Sequence, residues 1–128
     1  MIKRILIVDD EEGIRYSLER ILNEPEYTVA TARNGVEALE KYIEEPSDLV
    51  VLDICLPDMS GLEVLYKIKT INPNAMILII TAFGTTDIAI EATKKGAYDY
   101  IQKPFDILAM KSTIYQALTY THSRYTHA

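Results

Sequence analysis

Three aspartates, a threonine and a lysine stand where apolar runs stop. Asp9 and Asp10 follow Ile5–Val8, Asp53 follows Leu49–Leu52, Thr81 follows Met76–Ile80, and Lys103 lies just past Tyr98–Ile101. If these runs are neighbouring strands, the five groups meet at one sheet edge. Carboxylates that meet repel: at about 4 Å and an effective dielectric near 20, each pair costs on the order of 4 kcal/mol. Either their pKa values rise or a cation sits among them. An all-oxygen donor set suits a hard cation. Mg2+, with Mn2+ as its substitute, uses few carboxylates and leaves room for phosphate oxygens; Ca2+ wants a fuller oxygen cage. The lysine then needs an anion, and phosphate is the natural one. A carboxylate flanked by a metal and an ammonium is equipped to attack phosphorus.

Singly, each residue has an ordinary structural role. Asp9 or Asp10 caps a turn or helix, Thr81 is a strand former, and Lys103 is a solvated charge. Asp53 is the exception, because no turn residue follows it until Pro57. The chemistry comes from convergence at the ends of separate strands.

The elements that must position these groups alternate along the chain. Ile14, Leu18, Ile21 and Leu22 recur at helical spacing before Pro25. Tyr27–Ala32 is a second strand. Asn34, with Glu37 three residues on, opens a helix with inner face Val36, Leu39 and Ile43, which Pro46 closes. After the third strand, Leu56-Pro57-Asp58-Met59 is a loop. Ser60 to Glu63 has capping-box spacing, predicting a Ser60 bond to the Glu63 N–H ahead of an inner face of Leu62, Leu65 and Ile68. Asn72-Pro73-Asn74 breaks the chain before strand four. Thr85–Lys95 is a weaker helix, with Ile88, Ala89 and Ala92 inward and Gly96 at its end. Asp106 caps a last helix with Ile107, Met110, Ile114, Ala117 and Leu118 inward, and Thr119–Ala128 is polar. Five strand–helix units imply an α/β fold, a doubly wound three-layer sandwich around a parallel sheet. Ligands of such sheets bind beyond the carboxyl ends of the strands, where the five groups lie.

Composition narrows the functions. The 128 residues fit one domain. Net charge is −6, against direct nucleic-acid binding by this domain, which needs a basic face. The longest apolar stretch, Ala75–Phe83, is far short of the roughly twenty residues of a membrane span, so no membrane role is expected. One cysteine excludes an internal disulfide and fits a reducing, cytoplasmic setting.

Ile7-Val8-Asp9-Asp10-Glu11, Leu52-Asp53-Ile54, Leu56-Pro57-Asp58-Met59-Ser60-Gly61, Ile80-Thr81-Ala82 and Lys103-Pro104-Phe105 occur in order across nearly the whole chain. Together they resemble the receiver domain of two-component response regulators. The resemblance implies a five-stranded sheet of order 2-1-3-4-5, flavodoxin-like, with residues 1–120 as the receiver and 121–128 as a tail or the start of a linker. It implies that Asp53 accepts a phosphoryl group from a sensor histidine kinase. Asp10, Asp53 and the backbone carbonyl of Cys55 would hold Mg2+, with Asp9 acting through water. Lys103 and the Ala82 N–H would hold the phosphoryl group, Thr81 would move to it, and Tyr100 would turn inward behind it. Cys55 and Phe83 would tune its lifetime, and the Lys103–Pro104 bond would be cis. The chain would catalyse only its own phosphorylation and dephosphorylation.

Ala82 to Thr86 and Gly96 to Ile101 are most similar to receivers of NtrC-type transcription activators, which continue into output domains. The resemblance therefore implies a role in transcription regulation, with C-terminal output domains in a longer chain and a homodimer through helix 4, strand 5 and helix 5. A single-domain phosphotransfer intermediate is the alternative within the family. Outside it stands a Mg-dependent phosphatase with an aspartyl-phosphate intermediate, although the dehalogenase-type enzymes space their paired aspartates one residue apart, whereas Asp9 and Asp10 are adjacent. A flavin carrier is disfavoured because Asp9-Asp10-Glu11-Glu12 would repel its phosphate, and a pure interaction module would not need the acidic pocket.

Overall fold

Runs rich in β-branched residues form five strands, and a helix follows each. In a computed structural model the described residues are 1–82 and 86–126, with the backbone alone at 86 and 120–126. The elements are β1 (Lys3–Val8), α1 (Glu12–Ile21), β2 (Tyr27–Ala32), α2 (Gly35–Glu44), β3 (Leu49–Asp53), α3 (Gly61–Ile71), β4 (Ile77–Thr81), α4 (Thr86–Lys94), β5 (Asp99–Gln102) and α5 (Ile107–Thr126). All neighbouring strands are parallel, in the order β2-β1-β3-β4-β5. This is the expected topology.

Strand alternation sends side chains to two cores. Leu6, Val8, Val50, Leu52, Ile77 and Ile79 pack with Ala38, Tyr42, Val64, Leu65, Ile68 and Ala92 of α2, α3 and α4. Ile5, Ile7, Leu49, Val51, Leu78 and Ile80 pack with Leu18, Leu22, Met110, Ile114, Ala117 and Leu118 on the α1 and α5 side. Every residue of β3 and β4 is buried, as a sheet covered on both faces requires. At about 2 kcal/mol per buried aliphatic side chain, this double core fixes the positions of the strand ends. Among the described residues, no helix is long and apolar enough to cross a membrane.

Several local expectations are corrected. The inner face of α2 is Ala38 and Tyr42, both fully buried, with the expected Leu39 packed against the same core, whereas Val36 and Ile43 are 51% and 63% exposed. A small residue lets α2 approach the sheet, and the Tyr42 hydroxyl accepts a bond from Asn72 Nδ2 at 3.1 Å. Ser60 caps α3 through the N–H of Leu62, not of Glu63, and Glu63 instead pairs with Lys67 at 3.3 Å. Helix α1 ends at Ile21, ahead of Pro25, with Leu22 as its C-cap. The polar segment after Thr119 stays helical to Thr126. Phe83 and the expected helix start at Thr85 lie outside the described residues. Asp106 does cap α5, through the Ala109 N–H at 3.2 Å.

The N-terminus of α2 is closed from two sides. Asn34 accepts from the Glu37 N–H at 2.8 Å, and Asp58, from the loop after β3, accepts from the N–H groups of Gly35 and Val36 at 2.8 and 2.9 Å. Three of the four orphan donors of the helix start are thereby satisfied. The two backbone bonds hold the Asp58 carboxyl below the usual carboxylate range. A depressed folded pKa contributes stability that is present above the unfolded value, near 3.9, and is lost as pH falls through the folded one. Asp58→Ala is therefore expected to lower Tm at pH 7, with the gap to the parent closing below about pH 4. Parallel melts across acid pH check this; a gap that persists undiminished at the acid end would contradict it.

Candidate functional site

The strand ends place the groups by register. Val8 pairs with Leu52, so Asp9 and Asp53 are the next residues on adjacent strands. Asp53 in turn pairs with Ile80, which puts Thr81 one step beyond. The Lys103 N–H donates to the Thr81 carbonyl at 2.8 Å, tying the lysine to the end of β4. The Lys103–Pro104 peptide is cis, as expected.

Asp9, Asp10 and Asp53 each offer a carboxylate oxygen, and these oxygens lie within 4.8 Å of one another. Asp9 and Asp53 are buried and Asp10 is exposed. Lys103 Nζ lies 2.9 Å from Asp9 Oδ2, 3.2 Å from Asp53 Oδ2 and 3.2 Å from Glu11 Oε1. The contact with Asp9 Oδ2 is an ion contact outside hydrogen-bonding geometry, which leaves this buried oxygen without a hydrogen-bond partner. Asp9 Oδ1 accepts from the Glu11 N–H at 2.8 Å, and Asp53 Oδ1 from the Cys55 N–H at 3.1 Å.

The titration behaviour follows from these contacts. Burial raises the pKa of Asp53, the Cys55 N–H opposes it, and Asp9 adds to the rise against Lys103. Burial alone would lower the pKa of Lys103, but Asp9, Asp53 and Glu11 outweigh it and hold it well above the usual lysine range. The lysine is thus a fixed cation. Burial and the charges of Asp53 and Asp10 push the Cys55 thiol up, so it stays protonated.

The donor set fits a hard divalent cation. Three converging carboxylates carry more negative charge than one ammonium neutralises, and Asp9 Oδ2, buried and without a hydrogen bond, faces that ammonium alone. The side chain of Thr81 is buried beside this cluster, and Ala82 is exposed and lines a cleft with Glu11 and Lys103. Tyr100 lies on β5 and is 43% exposed.

The loop that carries Cys55 is held by Gly61. Cys55 and Ser60 form an antiparallel bridge, and the Gly61 N–H donates to Ile54 O at 2.7 Å. A Cβ on Gly61 would lie 2.3 Å from Asp53 O and 2.7 Å from Ile54 Cα. Both are backbone atoms of the site and cannot swing aside. Gly61→Ala is expected to cost about 2 kcal/mol by overpacking. A lower denaturant midpoint with an unchanged slope would show it; an unchanged midpoint would mean the loop yields freely.

Sequence reasoning found the triad, Thr81 and the lysine. It gave no role to Glu11, which pairs with Lys103, or to Arg15, whose Nη1 donates to Asp9 O at 2.7 Å. The only signal for Glu11 was its place directly after the aspartate pair.

Residues 5–115 match the response regulator receiver domain. The chain is 44% identical over 117 residues to the transcriptional regulatory protein ZraR of Klebsiella oxytoca, covering 91% of this chain but 26% of ZraR. It spans about a quarter of that protein. It is 40% identical over 114 residues to the sporulation initiation phosphotransferase F of Bacillus subtilis, covering 89% of this chain and 92% of that one. A CheY-like receiver domain protein from Methanospirillum hungatei superposes with a TM-score of 0.92 at 32% identity, over 97% of this chain and 99% of its own. The expected likeness to receivers of NtrC-type regulators is met through ZraR and stands beside an equally clear likeness to single-domain proteins. Coverage of a whole single-domain relative, on a sheet whose strand ends gather the acidic triad and the lysine, places the chain among the response regulator receiver domains.

Proposed function

We propose that this receiver accepts a phosphoryl group on Asp53 from the phosphohistidine of a sensor histidine kinase, in the cytoplasm. One observation carries the reading: a buried carboxylate at the end of β3 touches a permanently charged lysine and shares a pocket with two more carboxylates. An Asp53 oxygen attacks phosphorus as the P–N bond breaks, and the histidine ring keeps the electron pair. Asp10, Asp53 and the Cys55 carbonyl would hold Mg2+, or Mn2+ in its place, with Asp9 acting through water. When bound, the ion supplies positive charge against the transferring oxygens. Lys103, already 3.2 Å from Asp53 Oδ2, would turn its charge to the phosphoryl oxygens, with the Ala82 N–H as a further donor. Cys55 and Phe83 would govern water access to the group and so its lifetime. Hydrolysis returns Asp53 and orthophosphate, so the chain turns over only its own acyl phosphate.

The output follows from the neighbouring surface. Thr81 would close on the phosphoryl group and Tyr100, now turned outward, would follow it. Helix α4 buries little beyond Ala89 and Ala92, so its displacement costs little. Ile90, Tyr100 and Leu108, on α4, β5 and α5, are exposed and supply apolar area for a homodimer or an output domain. Transcription control through C-terminal output domains, as the likeness to ZraR suggests, is one readout. The coverage of the Bacillus phosphotransferase favours a second, relay of the phosphoryl group to another protein.

Intact-protein mass after incubation with a small phosphodonor tests the chemistry. A gain of one phosphoryl group that needs both Mg2+ and Asp53 supports it. No gain on the folded parent, together with turnover of a phosphate ester, would favour the phosphatase reading.

A further inference from the structure

The exposed ligand of the pocket is the least restrained. The Asp10 side chain makes no hydrogen bond among the described residues, and it lies in the turn between β1 and α1. That turn has no side-chain cap, since Glu11 at the start of α1 directs no side-chain bond into the helix. Asp9, by contrast, is fixed at every polar group. Its N–H donates to Ala32 O at 3.0 Å, its Oδ1 accepts from the Glu11 N–H, its Oδ2 faces Lys103, and its carbonyl accepts from Arg15 Nη1 at 2.7 Å.

We infer that Arg15 is a positioning residue that sets the cation affinity of the pocket by clamping the Asp9–Asp10 peptide. This rests on the divalent-cation reading above. A peptide unit is planar, so holding the Asp9 carbonyl also fixes the Asp10 nitrogen and the direction in which the Asp10 Cα leaves it. The side chain that has no other anchor is thereby aimed at Asp9 and Asp53. The guanidinium keeps its charge at any working pH, and a short charge-assisted bond to a carbonyl is a strong tether. Arg15 spends that bond on a backbone oxygen and forms no ion pair with a carboxylate among the described residues, so the acidic oxygens stay available. Helix α1 supplies the reach: the donor lies six positions after the acceptor, from the second turn back over the helix start.

Outer partners of metal ligands typically change affinity about tenfold to a hundredfold. The experiment is calorimetric titration of Mg2+ into the metal-free full chain, without phosphodonor, for the parent and for Arg15→Ala, Arg15→Lys and Arg15→Gln. Arg15→Ala is expected to weaken the Mg2+ Kd by at least about tenfold. Arg15→Lys, which keeps a charged donor, should recover most of the loss, and Arg15→Gln, which keeps a donor without charge, should fall between. Melting in chelator separates this from a purely structural role, which would lower Tm and leave Kd alone. If the folded variants bind Mg2+ within about twofold of a parent that binds it, the clamp is overturned, whatever happens to Tm. Should Arg15→Ala not fold, Arg15→Gln carries the same decision. A parent that binds no Mg2+ would overturn the cation reading itself, and the clamp with it.

Discussion

Asp53→Asn is expected to take up no phosphoryl group and, in metal-free buffer, to melt higher than the parent. The first effect is chemical, because an amide oxygen is no nucleophile at neutral pH. Asp9 also touches Lys103 but is fully buried, and Asp10, though exposed, makes no contact with the lysine among the described residues. The second effect is electrostatic. Burial and Asp9 together raise the Asp53 pKa despite the Cys55 N–H and Lys103. An acid whose folded pKa is raised is penalised for being ionised, so it subtracts stability above that pKa and the penalty is relieved as pH falls through it. The amide removes the penalty at neutral pH. The gain is on the order of 1 kcal/mol, or roughly 4 °C in Tm for a domain of this size. Mg2+ should raise the Tm of the parent more than that of the variant. Mass spectrometry and paired melts with and without Mg2+ check both parts. Phosphoryl uptake by the variant at the parent's rate would move the acceptor elsewhere, and a variant less stable than the parent would mean that Lys103 governs the balance.

The sheet was legible because its strands are nearly continuous apolar runs that end at charged or hydroxyl residues, and a parallel sheet has no use for alternation. Helix phase was harder. In α2, two apolar sets overlap at helical spacing: Val36, Leu39 and Ile43, and Ala38 with Tyr42. Hydrophobicity favours the first set. Packing favours the second and keeps only Leu39 of the first, because the space against the sheet admits an alanine and a ring whose hydroxyl reaches Asn72. No local pattern encodes that choice.

Convergence of the triad, Thr81 and Lys103 followed from where the strands end, once parallel strand order was granted. The supporting contacts did not follow, because they are tertiary. Glu11 meets a lysine 92 positions away, and Asp58 caps a helix 22 and 23 positions upstream. Gly61 looked like the start of a helix, yet its constraint is the backbone of Asp53 pressed against it. Motif residues such as Asp58 and Gly61 were therefore visible as pattern, and the physical reason for them only in the folded chain.

Lys103→Met should produce the largest loss of stability. The side chain is 9% exposed and faces Asp9, Asp53 and Glu11 at about hydrogen-bond distance. Methionine nearly keeps the volume and removes the charge, so the loss is electrostatic. Two buried carboxylates are left facing each other without a cation. Breaking a buried pair from one side costs about 3 kcal/mol, or roughly 12 °C in Tm. The pH dependence has a definite sign. A lysine whose folded pKa is raised contributes stability that is complete below its unfolded value, near 10.4, and is lost as pH rises through the folded one. The gap between parent and variant should thus be flat from pH 7 to about 10 and shrink only above that. Mg2+ should recover part of the loss, since a cation among the carboxylates replaces some of the missing charge. Phosphoryl uptake should still fall by about a hundredfold, the scale on which a positioned charge or donor acts on a transferring group. A variant as stable as the parent in chelator would show that the carboxylates are solvated enough to do without the lysine. Full recovery of uptake at saturating Mg2+ would reduce Lys103 to a charge balance, with no part in holding the phosphoryl oxygens.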